Sequence, residues 1–220
     1  MEEKQKIITI SKEELSTLPA ASYEGRIVLI DTPEAAKDAA QKLSKEKYIG
    51  FDTETKPSFK RGQSHTVALL QLSSHTECYL FRLNHIGLTE EVKNILEDAN
   101  IIKIGLSIHD DFHNLNKICS LTPAGFIDLQ QYVKKFLIAD NSLARIYAIL
   151  FDHRISKGQR LTNWEAEELT PHQQCYAALD ALACIRIFDH LEAGLFDPMQ
   201  SRHLKEIVIE NEIENENTGD

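Results

Sequence analysis

The sequence predicts one α/β or α+β domain, in which a mixed sheet comes first and helices follow. Segments rich in β-branched and aromatic residues alternate with helical patterns between residues 26 and 128. After residue 129 the patterns are helical, and this order of elements is typical of a sheet covered by helices. The chain has 220 residues, of which 42% are hydrophobic, so it can bury a sizeable core without disulfides.

Each element follows from local patterns. Strands are predicted at six segments: 26–31, 48–54, 66–73, 78–83, 101–105 and 125–128. Helices are predicted at four: 33–46, 89–98, 107–118 and 171–191. The first helix has Pro33 in its opening turn, where the missing N–H costs little. The last begins with a capping box formed by Thr170 and Gln173, with Pro171 at its first position.

The chain divides most simply into three parts. Residues 1–25 form a mixed, polar N-terminal extension, residues 26–195 form the domain, and residues 196–220 form an acidic C-terminal tail. The composition after residue 205, rich in Glu and Asn, predicts a frayed helix or a disordered end.

Composition excludes several classes of protein. The net charge is −10, which argues against a passive nucleic-acid coat with a basic surface. No apolar run approaches the ~18 residues of a membrane-spanning helix, so no membrane partner is expected. The first ten residues lack the features of a signal peptide. Four widely separated cysteines are typical of a reducing compartment, and a cytoplasmic location is expected.

Two carboxylates share one face of the strand 48–54. Because side chains alternate along a strand, Asp52 and Glu54 project with Gly50, away from Phe51 and Thr53. Two adjacent acids on an apolar strand repel each other and resist desolvation. A hard cation such as Mg²⁺ or Mn²⁺ would relieve both problems. The alternative is an exposed strand end with two solvated acids.

A third acid lies in the helix 107–118. Ile108 and Leu115 mark its inward stripe, and Asp111 falls on that stripe, whereas Asp110 falls on the polar side. An acid on an apolar stripe needs a partner. The free N–H groups and dipole of the first turn provide one explanation, and a metal site provides the other.

The same helix offers a zinc alternative. His109 and His113, spaced i and i+4, resemble the zinc-binding H-E-x-x-H pattern. However, Asp110 replaces the Glu, and no third ligand follows. His109 also lies about 200° around the helix from Asp111, so the two sets cannot bind one ion. Two surface histidines explain the pattern better.

The last predicted helix carries Tyr176 and Asp180 at i and i+4, on one face with Ala183 and Ile187. The surrounding residues are small or apolar, which indicates a buried stripe that contains one acid. A hydrogen bond between the Tyr176 hydroxyl and Asp180 on a packed helix is the purely structural explanation.

Taken in order, these pieces resemble the four-carboxylate 3′–5′ exonuclease superfamily in its tyrosine-bearing DEDDy branch. The histidine branch would need His where Cys175 stands. The resemblance spans about residues 26–192 and extends to the exonuclease domains of ribonuclease D and of the Werner-syndrome helicase. It is carried by seven phrases: GFDTET, RGQSHTVALLQL, CYLF, GLSIHDDFHNL, SLARIYAILF, KGQRLTNW and LTPHQQCYAALDALA.

The resemblance implies a ribonuclease-H-like fold, with a mixed five- or six-stranded sheet flanked by helices. It also implies a metal site for two divalent ions, Mg²⁺ or Mn²⁺. Asp52 would bridge both ions, Glu54 and Asp180 would complete the first site, Asp111 would hold the second, and Tyr176 would orient the attacking water. Asp110 stays open as an alternative to Asp111 as the ligand of the second ion.

The function implied is a metal-dependent 3′–5′ exonuclease that acts on single-stranded or frayed 3′ ends of DNA or RNA and releases nucleoside 5′-monophosphates. Two ions about 3.5–4 Å apart would activate water and neutralise charge on the leaving 3′-oxygen. The alternative is a nucleic-acid-binding or scaffold domain with little catalytic activity, although all five key side chains are present.

Four other residues have less specific interpretations. Lys157 and Arg160 would contact phosphate or form ion pairs that fix their loop. The lone tryptophan, Trp164, is expected in the core rather than as a stacking platform for bases. Asp128 is expected to cap a helix rather than to bind metal.

Overall fold

The computed structural model describes residues 3–60, 62 and 64–209. Eight strands are present in this part of the chain: β1 (Glu3–Ile8), β2 (Arg26–Ile30), β3 (Tyr48–Thr55), β4 (Val67–Ser73), β5 (Glu77–Arg82), β6 (Ile102–Gly105), β7 (Phe126–Asp128) and β8 (Leu204–Ile209). Its α-helices are α1 (Lys12–Thr17), α2 (Pro33–Leu43), α3 (Leu83–Ile86), α4 (Glu90–Glu97), α5 (Ile108–Leu115), α6 (Leu129–Tyr132), α7 (Leu143–Phe151) and α8 (Pro171–Glu192).

Six strands form one mixed sheet in the order β2-β5-β4-β3-β6-β7. The β3–β4–β5 meander is antiparallel, and the outer pairings of β2 with β5, β3 with β6 and β6 with β7 are parallel. β3 is therefore a central strand with hydrogen-bonded neighbours on both sides. The α/β class and the six-stranded mixed sheet are confirmed.

Helices cover both faces of this sheet. α2, α4 and α5 pack on one face, in a core that includes Phe51 and Leu72. α8 packs on the other face, where its small residues Ala177 and Ala181 belong to one buried cluster with Leu69, and α7 packs against α8 in a further cluster. None of the helices in the described ranges combines the length and apolarity that a bilayer crossing needs.

All six predicted strands and the four predicted helices are present, with ends shifted by up to three residues. The capping box of α8 is confirmed, with the Thr170 side chain accepting from the Gln173 backbone N–H. The prediction of helix throughout the region after residue 129 is wrong for residues 152–170, which form turns and bends. Those turns bring a polar loop beside α8.

The ends of the described chain pair with each other. β1 and β8 form a separate antiparallel two-stranded sheet. The predicted frayed or disordered end after residue 205 is therefore wrong for residues 206–209, which belong to β8, and residues 210–220 lie outside the described residues. Beyond β1, the buried Ile10 donates its backbone N–H to Asp140 at 2.9 Å. The division at residues 25 and 195 stays a prediction.

Candidate active site

The acid pair lies on β3 as the alternation predicts. Asp52 and Glu54 share the face covered by α8, whereas Phe51 on the opposite face belongs to the core beneath α5. Glu54 is only 8% exposed, so the alternative of two solvated acids at an exposed strand end is wrong. A register shift follows directly at Glu54/Thr55, which ends regular pairing beside the acids.

A close approach between β3 and α8 brings the third acid to the first two. A Cβ atom on Gly50 would lie 2.7 Å from the carbonyl carbon of Ala181 and closer still to its oxygen. Only glycine allows this helix backbone to approach the strand so closely. Asp180, the residue before the contact, is consequently placed over the acid pair with 6% of its surface exposed.

The three carboxylates form one compact cluster. Asp52, Glu54 and Asp180 each offer one oxygen atom, and these oxygens all lie within 4.8 Å of one another. Oδ1 of Asp180 is buried and has no hydrogen-bond partner among the described residues. A buried carboxylate oxygen without a donor is costly, which indicates that it is reserved for a ligand.

Burial and mutual repulsion shape the electrostatics of this cluster. Burial is the main cause that raises the pKa of Asp52, and repulsion from Asp180, Glu54 and Asp111 raises it further. Burial also raises the pKa of Glu54, with repulsion from Asp180 and then Asp111. The pKa of Asp180 is raised by burial and partly restored by Tyr176 and Lys157. The ionised cluster is therefore under electrostatic stress that a cation would relieve.

Tyr176 lies one helical turn before Asp180 and faces the same cavity. Burial, followed by the negative charges of Asp180 and Glu54, raises the pKa of its phenol above the ordinary value. The hydroxyl is consequently protonated at neutral pH. It can donate a hydrogen bond to a carboxylate and accept one from a water molecule.

Asp111 reaches β3 from the other side of the sheet. Its carboxylate accepts a hydrogen bond from the hydroxyl of Thr53, which lies between the two β3 acids but faces away from α8. Burial raises the pKa of Asp111 to about 6, and Thr53 partly offsets the effect. Asp111 is not one of the three clustered acids, although its charge acts on Asp52 and Glu54.

The neighbouring polar residues of α5 point to solvent. The side chain of Asp110 is 90% exposed and that of His109 is 96% exposed, with 3.7 Å between them. His113 is also exposed. The geometry thus favours Asp111 over Asp110 as the acid of the site, and it places both histidines on the surface, as expected.

A cavity of about 320 Å³ opens above the acids. Lys157 and Arg160 line it from the loop that precedes α8, and Leu143 and Ala144 line it from α7. Among the described residues neither basic side chain forms an ion pair within 4.0 Å, so the ion-pair explanation has no support. The loop places two positive charges beside a concentration of negative ones.

Two further predictions concern structural residues. Trp164 is fully buried, with its ring centroid 6.1 Å from that of Tyr176, so its placement in the core is confirmed. Asp128 accepts from the backbone N–H groups of Gln130 and Ser107 at 2.9 and 3.0 Å, so its role as a cap is confirmed. It ties the start of α5 to the sheet.

Glu165 makes two side-chain contacts beside the site that no sequence pattern revealed. Glu165 accepts from Lys56 at 3.2 Å and pairs with His65 at 2.8 Å. It thereby joins both ends of the β3–β4 connection to the loop that precedes α8. Glu165 lies 100 or more residues from both partners, so no local spacing signals these contacts.

The cluster fits a divalent cation. Asp52, Glu54 and Asp180 supply largely buried carboxylate oxygens, and Oδ1 of Asp180 has no other partner in the part of the chain that the structure describes. Hard cations such as Mg²⁺ and Mn²⁺ take this donor set. These acidic residues can therefore bind a metal ion.

Comparison with known proteins assigns the chain to a family. A family model described as a 3′-5′ exonuclease matches residues 27–195. The chain belongs to this 3′-5′ exonuclease family. A Drosophila melanogaster relative, exonuclease 3′-5′ domain-containing protein 2, is 33% identical over 174 residues, which cover 76% of this chain and 30% of the relative. The predicted family is confirmed.

A second relative is the bifunctional 3′-5′ exonuclease/ATP-dependent helicase WRN of Mus musculus, which is 30% identical over 184 residues. That match covers 79% of this chain and 13% of WRN. The chain thus spans less than a third of either curated relative, and family membership does not transfer what those longer proteins do as a whole.

Solved structures share the fold. The Aedes aegypti Nibbler EXO domain has a TM-score of 0.70 at 21% identity and covers 82% of this chain and 96% of its own. Escherichia coli RNase D has a TM-score of 0.68 at 23% identity and covers 76% of this chain and 44% of its own. The predicted ribonuclease-H-like fold is confirmed.

Proposed function

We propose that this protein is a divalent-metal-dependent 3′–5′ exonuclease that removes nucleoside 5′-monophosphates from single-stranded or frayed 3′ ends of nucleic acid. The observation that carries the proposal is the cluster of Asp52, Glu54 and Asp180 within 4.8 Å, beside a protonated Tyr176, in a member of the 3′-5′ exonuclease family. Phosphodiester hydrolysis needs concentrated positive charge at the phosphate, and divalent cations bound to this cluster would provide that charge.

Within the proposal, Asp52, Glu54 and Asp180 would hold one ion, and Asp52 and Asp111 would hold a second. Mg²⁺ or Mn²⁺ bound there would supply the positive charge that phosphodiester hydrolysis requires at the attacking water and at the leaving 3′-oxygen. The Thr53 hydroxyl orients Asp111 toward β3. The side chains come from β3, α5 and α8, so the packing of one sheet and two helices sets their geometry.

Tyr176 orients the attacking water. Its raised pKa excludes it as the base at neutral pH, because a phenol without its proton is then scarcely populated. It can accept a hydrogen bond from the water and thereby fix the direction of attack. Orientation of this kind lowers a barrier by placing reactants correctly.

Lys157 and Arg160 attract the polyanion. The chain carries a net charge of −10, so long-range attraction to nucleic acid is weak. Binding of the polyanion would therefore depend on the positive charges nearest the reacting phosphate. Both residues line the cavity from the loop before α8. The cavity of about 320 Å³ beside these side chains is where the terminal nucleotide would bind.

A location in the cytoplasm is part of the same proposal. Cys78 and Cys184 are buried, Cys119 and Cys175 are not, and all four are free thiols. Free thiols are typical of a reducing compartment. A binding or scaffold role without catalysis has no observation in its favour, since no acid of the cluster is missing.

The direct test uses the purified chain with Mg²⁺ or Mn²⁺ and matched DNA and RNA oligonucleotides labelled at one end. We expect a 3′ label to be released first as a mononucleotide and a 5′ label to give a ladder of shortening products. Chelation with EDTA should stop both. A preference for the DNA or the RNA substrate would define the substrate class.

The variants Asp52→Ala and Asp180→Ala should abolish this digestion while the far-ultraviolet circular dichroism stays that of the wild type. Asp189→Asn is the matched control, because Asp189 lies on the same helix but faces solvent and contacts His75. Full activity in either cluster variant would reject the proposed function.

A further inference from the structure

Gln71 is an unexplained polar residue inside the sheet. Every residue of β4 is buried, and the strand is otherwise apolar until Ser73. Gln71 has no exposed surface, and neither its Oε1 nor its Nε2 has a hydrogen-bond partner among the described residues. Buried amides in folded proteins nearly always have partners, so this side chain requires a specific explanation.

The register of the sheet places Gln71 directly beside the acid cluster. Gln71 is the cross-strand partner of Asp52 in the antiparallel β3–β4 pair, and Leu80 flanks it on β5. Cross-strand partners project to the same face with Cβ atoms about 4.5–5.5 Å apart. The amide of Gln71 therefore lies within reach of the Asp52 carboxylate, on the face covered by α8.

Stability alone does not account for a glutamine here. Each buried polar group without a partner costs about 1–3 kcal/mol, and a methionine of similar length would fill the same space without that cost. Leu69, two residues earlier on the same face, is fully buried, which shows that this face of the strand accepts an apolar residue. An amide kept at such a cost points to a use for its hydrogen bonds.

We propose that Gln71 is a positioning residue of the metal site: when cations bind, its free amide N–H group turns to donate to the Asp52 carboxylate across the strand pair and fixes the orientation of that carboxylate. In the proposed mechanism Asp52 would bind both ions, so the orientation of its carboxylate would affect the binding of each ion. An amide is suited to this role because it donates to a carboxylate without adding charge to the cluster. The inference rests on the proposed metal-dependent function and assigns it one further residue.

The decisive variant is Gln71→Met in the full chain. Isothermal titration with Mn²⁺ alone should show affinity about 10–100-fold weaker than the wild type, the usual effect of removing a group that orients a metal ligand. The melting temperature of the metal-free variant should be equal to or higher than that of the wild type. This opposite response of stability and metal affinity separates positioning from a structural role.

Leu72→Met is the matched control, since Leu72 lies next to Gln71 but packs in the core on the other face of the sheet. It should leave Mn²⁺ affinity unchanged. Gln71→Leu provides a second apolar variant, so that poor folding of one replacement does not decide the result. Wild-type Mn²⁺ affinity in a folded apolar variant would overturn the assignment.

Metal titration and nuclease activity are measured separately, so the two proposals can fail separately. If the wild type binds Mn²⁺ through its acids but degrades no oligonucleotide, the nuclease proposal fails, and the affinity of Gln71→Met still decides the role of Gln71. If the wild type degrades oligonucleotides and Gln71→Met matches it in affinity and turnover, the Gln71 assignment alone fails. If the wild type binds no Mn²⁺, both fail.

Discussion

The carbonyl group of Ala181 occupies the space that a side chain on Gly50 would need. This contact between a helix backbone and a strand backbone determines the distance between β3 and α8. Asp180 is the residue before the contact on the helix, and Asp52 is two residues after it on the strand. The acid cluster therefore depends on a position that carries no functional group.

Gly50→Ala should accordingly damage both stability and the metal site. The added methyl would lie 2.7 Å from the carbonyl carbon of Ala181, and neither backbone can yield cheaply. We expect a loss of about 1–3 kcal/mol in the free energy of unfolding together with weaker Mn²⁺ binding. Urea denaturation and calorimetry measure the two effects. Gly158→Ala is the control, since only the Ser156 hydroxyl lies near that position, at 3.5 Å.

Asp111→Asn should abolish exonuclease activity, whereas Asp110→Asn should retain it. The two acids are adjacent, but Asp111 is hydrogen-bonded to Thr53 and Asp110 is 90% exposed. Single-turnover rates with a 5′-labelled oligonucleotide provide the measurement. Inactivation by Asp110→Asn with an active Asp111→Asn would reverse the assignment.

The metal-free protein should lose stability as pH rises from 5 to 8. The pKa values of Asp52, Glu54 and Asp180 are raised in the folded state, and that of Asp111 is about 6. The folded state therefore binds more protons than the unfolded state above about pH 4, and the stabilisation present at low pH is lost as pH rises through the folded-state values.

Urea unfolding in EDTA across this range measures the effect, with Asp180→Asn as the comparison. Burial lowers the pKa of His190 and of His203, which acts in the opposite direction but equally in both proteins. The variant should show a smaller loss of stability with rising pH. Added Mn²⁺ should stabilise the wild type more at pH 8 than at pH 5, because metal and protons compete for the same oxygens. An equal pH dependence of stability in both proteins would show that this cluster is not the source of the effect.

Tyr176→Phe should lower kcat by about 10²-fold, the cost of misplacing a reacting group, with Mn²⁺ affinity close to that of the wild type. The substitution keeps the ring against Trp164 and removes only the hydroxyl. Steady-state kinetics and metal titration together test this expectation. An unchanged kcat would remove the hydroxyl from the mechanism.

Lys157→Gln and Arg160→Gln should each raise KM for oligonucleotides and leave the fold intact, because both side chains line the cavity without ion-pair partners within the described residues. For each phosphate contact removed, the slope of log affinity against log salt should fall by about one. Lys205→Gln, on β8, serves as a control of equal charge change. A salt slope that neither loop variant alters would exclude both side chains from phosphate binding.

The elements of the central sheet were predictable because their signals are local. Alternation along 48–54 assigned Asp52 and Glu54 to one face, and the capping box located the start of α8. β1 and β8 were not predictable, since each strand is stabilised by a partner at the other end of the chain. The turns over 152–170 were missed because tertiary contacts override the weak helical preference there.

The acids of the site were also predictable from the sequence, but the hydrogen bonds that surround them were not. Helical spacing identified Asp111 and Asp180 as acids on buried stripes, and the family resemblance combined them with Asp52 and Glu54. The hydrogen bond from Thr53 could not be foreseen, because alternation places Thr53 on the opposite face and does not reveal which helix covers that face. The pairing of Gln71 with Asp52 depends on strand register, which single-strand patterns do not encode.

The acids and the basic side chains of the cavity come from different kinds of structure. Asp52, Glu54 and Asp180 lie on a central strand and a long buried helix, whereas Lys157 and Arg160 lie on an irregular loop. Under the proposed function, replacing residues 156–160 would vary which polymers are held while the acids keep their places on the strand and the helix. The protein thus provides a scaffold for engineering substrate choice through five loop positions, provided that a positive charge is kept near Asp180, whose pKa Lys157 lowers.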